Sequence, residues 1–297
     1  MEIEKLHFEL STFCNAACPL CLHDPQGIRH PLLHLTIPNL KKILKNNLFT
    51  KVNLIQLCGS HGDPMMHPKI LEIIEEIKSI YPRAIIEIST NGSLRNADFW
   101  KKISLLLNSK DHIIFGIDGL QDTHHLYRKN TDFTTVITNA KTFINSGGNA
   151  WWQFIPFKHN QHQILDAFKL SQKYSFGKFF IKYERACYNE KLPGPTISPT
   201  INKELIMGRV DTDSVPSFIN EMQFSKNCIH INQKSIYIKA DGTVTPCCFM
   251  SKFNKCSLQY DQLNQKQINN NKKILEKSWK SSSTAFVECK KNCYSTH

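Results

Sequence analysis

Cys14, Cys18 and Cys21 form a C-x3-C-x2-C run directly after an apolar, strand-like segment at 6–11. Three thiols within eight residues cannot pair off among themselves as disulfides. They can wrap one metal ion or cluster, because soft thiolates select Fe–S clusters, zinc or Cu(I). An electron-transfer 4Fe–4S cluster takes four cysteines, and bacterial ferredoxin runs carry the fourth close by. The next cysteine here is Cys58, far along the chain. A local set of three therefore suggests a cubane with one iron left open, able to bind a substrate or cofactor. A zinc knuckle is the alternative that spacing alone leaves standing.

Positioning such a loop needs a scaffold, and the sequence that follows has a regular one. Strand-like runs at 52–57, 84–88, 112–117, 150–157 and 179–183 alternate with helical patterns at 37–48, 69–80, 96–107, 134–144 and 161–173. In the second helix Ile70, Ile73, Ile74 and Ile77 recur at helical spacing. Alternation of this kind implies right-handed βαβ units and a parallel sheet. Six units predict an α/β fold, a partial (β/α)6 TIM-like barrel, with reactive groups at the C-terminal ends of its strands. The cysteine run falls at such an end, as do the loops at 58–64, 89–92 and 118–119. A proline-punctuated stretch at 192–215 then reads as a connection. The predicted division is a core at 1–205 and a small cysteine-rich α+β module at 206–297. In that module, strands at 235–239 and 243–245 flank the Asp241-Gly242 turn signal. The Gln- and Asn-rich piece at 259–271 reads as polar and partly disordered at its start.

Composition narrows the class. The chain has 297 residues, 41% hydrophobic and 21% charged, enough for one large core or one core plus a module. No apolar run approaches the roughly 20 residues that span a bilayer. The charged N-terminus runs straight into a strand, so no signal peptide is expected and the chain reads as cytoplasmic, with no membrane partner. Eleven cysteines in a reducing compartment point to metal or catalysis rather than disulfides. A net charge of +12 suits a nucleic-acid partner or simply lysine-rich solvated faces. With no RNA-binding aromatic motif and no helix-turn-helix pattern, nucleic acid is disfavoured.

The cysteine spacing resembles that of the radical S-adenosylmethionine (SAM) superfamily, whose three-cysteine loop follows the first barrel strand. The resemblance implies an open iron that chelates the amino and carboxylate groups of SAM. It also implies reductive cleavage to a 5'-deoxyadenosyl radical that abstracts hydrogen from a substrate, with Cys14, Cys18 and Cys21 as the catalytic ligands. Further motifs follow in matching order. Gly59, Gly62, Asp63 and Pro64 resemble the family's Gly-Gly-Glu-Pro loop, which hydrogen-bonds the SAM amino group. Ser89, Thr90, Asn91 and Gly92 resemble its strand-three Thr-Asn-Gly, with Ser89 and Asn91 suited to the ribose or methionine end. Asp118-Gly119 with Tyr127-Arg128 resembles the Ile-Asp-Gly…Tyr-Arg pattern of the SPASM-containing subgroup, where Arg128 would pair with the SAM carboxylate. Asp118 reads either as a substrate-facing acid or as a structural turn residue. Gln153 on the fifth strand is a further SAM or substrate contact, while Trp152 and Phe154 fit packing against helices. His61 faces the pocket or lies exposed on its loop, and His124-His125 read as loop surface.

The C-terminal cysteines carry the second signal. Cys228, thirteen residues, Gly242, four residues and Cys247 make a C-x13-G-x4-C arrangement. It resembles the SPASM/twitch modules that bind auxiliary 4Fe–4S clusters, with Cys289 and Cys293 able to complete four ligands. The C-x2-C-x5-C-x3-C segment of a two-cluster module is missing, so one auxiliary cluster is expected. Cys248 and Cys256 are spare candidates, and a structural zinc is the alternative occupant. Cys58 and Cys187 read as buried free thiols.

These readings together predict a radical SAM oxidoreductase with an unidentified substrate, whether peptide, sugar or small metabolite. The implied partners are that substrate and a reductant such as flavodoxin or ferredoxin. The alternatives are a radical SAM methyl- or group-transferase, and a non-enzymatic metal-containing nucleic-acid-binding protein.

Overall fold

The computed structural model describes residues 2–21, 31–182, 220–221, 229–248 and 258–279. These residues form an α/β fold in which six strands, β1 (Lys5–Phe8), β2 (Leu54–Leu57), β3 (Ile85–Thr90), β4 (His112–Gly116), β5 (Ala150–Phe154) and β6 (Lys178–Ile181), alternate with helices. Two compact units carry them. The first takes in Met1–Thr12, His30–Ile86 and Gln223–His297, and the second Phe13–Arg29 and Glu87–Met222. The boundary expected near residue 205 lies outside the described residues.

In the first unit α1 (Ile37–Leu44) starts on the Thr36 N-cap, whose hydroxyl accepts from Asn39 N. It is shorter than the expected 37–48, because Asn46 caps a separate 3-10 turn at Asn47–Phe49. Helix α2 (Ile70–Ile80) buries Ile70, Ile73, Ile74 and Ile77, the stripe its spacing foretold. Strand β1 pairs in parallel with β2, in the register Lys5↔Leu54 to Phe8↔Leu57.

On its other edge β1 pairs in parallel with β8 (Ser235–Ile238), in the register Lys5↔Ser235 to Phe8↔Ile238. Strand β8 turns back into β9 (Thr243–Thr245) through Gly242 at φ +84, with Asp241 Oδ1 accepting from Thr243 N at 2.8 Å. Short β10 (Leu258–Gln259) pairs antiparallel with β9. The piece expected to begin in disorder is instead β10, a 3-10 turn and a helix at Gln265–Trp279.

The second unit lines up the later part of β3, then β4, β5, β6 and the two-residue β7 (Asn220–Glu221), all parallel. Its helices are α3 (Ala97–Leu106), α4 (His124–Tyr127), α5 (Phe133–Asn145) and α6 (Ile164–Lys173). Alternation along the strands splits their side chains between two faces. Phe115, Trp152, Phe154 and Ile181 take the apolar face and are fully buried. Trp100 of α3 and Phe143 of α5 pack there against Phe115, with ring centroids 5.3 and 6.3 Å away. The buried indoles keep hydrogen bonds, Trp100 Nε1 to Leu94 O (3.1 Å) and Trp152 Nε1 to Ile117 O (2.9 Å).

The other face is polar at both ends of the strands. At their starts Glu87 meets His112 (3.1 Å), His112 stacks on Trp151 (3.7 Å between centroids), and Lys178 Nζ lies 4.7 Å from the Trp151 ring centre. Ser89, Gly116 and Gln153 follow on that face, one strand each.

Candidate metal centre and its supports

The cysteine loop follows β1 and belongs to the second unit. Ala16 and Leu20 are buried and anchor it, and Ala17 N donates to Lys129 O at 3.0 Å. The Cys14 and Cys18 thiols are half-buried and Cys21 is exposed. Two side chains grip the loop, Asn91 just past the end of β3 and Arg128 at the C-terminal end of α4. Asn91 Nδ2 donates to Asn15 Oδ1 at 2.9 Å and lies 3.7 Å from Cys14 Sγ. Asn15 Nδ2 in turn donates to Ser93 Oγ at 2.8 Å. Arg128 Nη1 lies 4.0 Å from Cys18 Sγ, and its Nε donates to Asp118 Oδ2 at 2.6 Å. Sulfurs faced by an amide N–H and a guanidinium suit thiolate ligands, whose negative charge such donors stabilise. The donor set therefore fits a soft metal or an Fe–S cluster. Among the described residues no three His, Cys, Asp or Glu side chains close to metal-holding geometry.

Burial pushes the Cys18 thiol up to about 11, with Arg128 beside it pulling the other way. Metal coordination reverses that balance, since a coordinated thiol is deprotonated outright. Burial also raises the Asp118 carboxyl, and Arg128 is the main influence holding it down. Burial works against the Arg128 charge, yet Asp118 and Cys18 drive its pKa well above the ordinary value. Asp118 is fully buried, and its Oδ1 accepts from Ile155 N at 2.6 Å. Both its oxygens are engaged, so the acid acts through Arg128 and the backbone.

The structure also explains two glycines. A Cβ on Gly116 would come within 2.5 Å of Arg128 Nη2, so the guanidinium lies directly over bare backbone. Gly92 has φ +72, and a Cβ there would meet Phe115 Cδ1 at 2.6 Å. Ser89 and Gln153 are half-buried on the polar face.

The sequence had left Asn15 and Gly116 out of the site. A glycine inside a strand is itself a signal of close approach, and that could have found Gly116. The expectation for His124 is overturned: it is fully buried in α4, where Nε2 meets Thr131 Oγ1 at 3.0 Å, while His125 is exposed. Tyr127 and Arg128 must turn inward, and a short helix achieves that by burying His124 as well.

In the first unit the 59–64 loop is tightly folded. A Cβ on Gly59 would sit 2.3 Å from Gly62 O, a clash that only glycine avoids. Asp63 caps the turn at Pro64–Met66, its Oδ1 accepting from Met65 N at 2.9 Å. His61 is buried, not exposed, and its N–H donates to Glu9 Oε1 at 2.7 Å. Cys58 is half-buried rather than buried.

The β8–β9 hairpin carries Cys247, buried, and Cys248, half-buried; the Cys247 carbonyl accepts from Thr245 Oγ1 at 3.0 Å. Cys187, Cys228, Cys256, Cys289 and Cys293 lie outside the described residues. No helix among the described residues is long and apolar enough to cross a membrane.

Alternating strands and helices, with a three-cysteine loop behind the first strand, define an α/β protein built around a cysteine-held centre. The chain belongs to the radical SAM superfamily, whose family model matches residues 8–171. Among curated proteins it is 27% identical over 95 residues to a GTP 3',8-cyclase of Microcystis aeruginosa, covering 31% of this chain and 29% of that one. It is 28% identical over 123 residues to a tungsten-containing aldehyde ferredoxin oxidoreductase cofactor-modifying protein of Pyrococcus furiosus, covering 40% and 32%. The chain thus matches about a third of the length of these relatives. Among solved structures, anSMEcpe with bound AdoMet superposes with a TM-score of 0.68 at 18% identity, covering 97% of this chain and 83% of that one. SuiB of Streptococcus suis bound to S-adenosylmethionine superposes at 0.66 and 13% identity, covering 89% and 65%.

Proposed function

We propose that this protein is a radical SAM oxidoreductase whose catalytic cluster is held by Cys14, Cys18 and Cys21. The observation that carries the reading is the cysteine loop gripped by Asn91, just past β3, at Cys14 and by Arg128, at the end of α4, at Cys18. When bound, a 4Fe–4S cluster supplies the electron that cleaves SAM to the radical that takes hydrogen from the substrate.

The chain's own residues do the rest. Asp118 fixes Arg128 by its Nε edge, which leaves the Nη groups to pair with the SAM carboxylate. Asn91 steadies the first cysteine and offers an amide near it. Ser89 and Gln153 add polar groups for SAM or substrate on the same strand face, and the backbone of the 59–64 loop receives the SAM amino group. Cys228, Cys247, Cys289 and Cys293 are assigned to one auxiliary 4Fe–4S cluster, which would accept an electron from the substrate radical. The substrate is a peptide, sugar or small metabolite, and the reductant a flavodoxin or ferredoxin.

The test is Cys18→Ala in anaerobically reconstituted protein supplied with SAM and dithionite. Loss of 5'-deoxyadenosine formation with the auxiliary cluster's absorbance retained is the expected result. S-adenosylhomocysteine as the wild-type product would favour a methyltransferase. Zinc without sulfide in the purified protein would remove the radical reading altogether.

A further inference from the structure

Strand β1 leads into a carboxylate that the cysteine loop does not use. Glu9 is 1% exposed, and its Oε1 accepts the His61 N–H of the 59–64 loop at 2.7 Å. The backbone N–H of Ser60 also favours its charged form. From the opposite side the fully buried Tyr237 hydroxyl of β8 lies against the same carboxylate, with Lys239 as the nearby cation. Lys239 is itself 3.3 Å from Asp241. His7, two residues back on β1, meets the Tyr237 ring edge-on at 4.8 Å and reaches Cys58 O at 2.6 Å. Cys248 acts on Tyr237. A carboxylate buried there has one evident task, which is to hold the His61 N–H of the loop.

We propose that Glu9 is a positioning residue for SAM: its carboxylate holds the 59–64 loop, through the His61 N–H, in the shape that receives the SAM amino group. The inference rests on the reading of that loop as SAM-binding. Burial raises the Glu9 carboxyl to about 7, while His61, Tyr237, Ser60 and Lys239 hold it down. The loop is therefore gripped by a charged acceptor above neutral pH and by a neutral one below it. Charge-assisted hydrogen bonds are roughly twice as strong as neutral ones, so SAM affinity follows this proton.

The experiment is SAM binding to anaerobically reconstituted holoenzyme by equilibrium dialysis from pH 6 to 8.5, in wild type and Glu9→Gln matched for iron and sulfide. Glutamine keeps an acceptor but cannot ionise. The ratio of the two affinities cancels the titration of SAM itself. It is expected to be about tenfold in favour of wild type at pH 8.5, the effect of one charge-assisted bond, and to fall towards one at pH 6. A ratio near one throughout, or one that does not change with pH, overturns the proposal.

Gly59→Val separates the two layers. Wild-type SAM affinity in that variant defeats the reading of the loop. Lost affinity there, with a flat Glu9→Gln ratio, defeats only the role of Glu9. If Glu9→Gln does not fold, Tyr237→Phe serves instead. Losing the hydroxyl should move the midpoint of SAM binding to higher pH, and an unmoved midpoint counts against the proposal.

Discussion

Replacing Arg128 by methionine removes the charge that faces Asp118 while keeping much of the side chain's length. Asp118 is fully buried, 2.6 Å from Arg128 Nε, and the Arg128 side chain is only 15% exposed. Burial already raises the carboxyl, with Arg128 first among the influences that hold it down. Without the guanidinium, Asp118 must stay charged and unpaired or take up a proton. Removing one partner of a buried pair costs about 3–5 kcal/mol, a large share of the roughly 5–15 kcal/mol that stabilises a domain.

The assay is urea unfolding of the metal-free protein at pH 8, followed by tryptophan fluorescence, with Arg128→Met, Asp118→Asn and the double variant. Arg128→Met should lose most, and the double variant should recover part of that loss, because no charge is left stranded. The deficit of Arg128→Met should also shrink as pH falls. Its folded-state carboxyl is raised further, so protonation relieves the buried charge. A loss under about 1 kcal/mol, or a double variant no better than Arg128→Met, would refute the buried brace, since exposed pairs contribute only that much.

Two further outcomes are expected. Gly116→Ala should displace the guanidinium, because the new methyl lies 2.5 Å from Nη2 and Asp118 leaves that side chain little room to move. The expected loss is about 1–3 kcal/mol, together with reduced SAM cleavage; wild-type behaviour in both would show that Arg128 lies elsewhere. Ionised Glu9 should also cost stability. With its carboxyl raised from 4.5 to about 7, its contribution is intact below pH 4.5 and is lost as pH rises through 7. The difference between wild type and Glu9→Gln in unfolding free energy should therefore fall by about 3 kcal/mol between pH 4.5 and 8, and a pH-independent difference would contradict the burial.

Local pattern made much of this protein legible from its sequence. Alternation and helical spacing depend on near neighbours, so the six strands, their helices and the Asp241-Gly242 turn could all be read, with errors mainly at element ends. The three-cysteine run could be read for the same reason, because its ligands lie within one loop. Ser89 and Gln153 could be placed on strands, but their shared face needed the register.

What the tertiary structure alone decided is which distant residues meet. Asn91 reaches Cys14 and Arg128 reaches Cys18 across 77 and 110 residues. Strand β8 lies beside β1 despite its place near the other end of the chain. Glu9 carries no local sequence signal, and only the strand on each side of β1 shows that it is buried. The physical reason is that a carboxylate's burial and a guanidinium's partner are set by parallel register and strand order, which no local spacing encodes. The sequence by itself determined the cysteine loop and the scaffold that carries it; the packing determined what holds that loop in place.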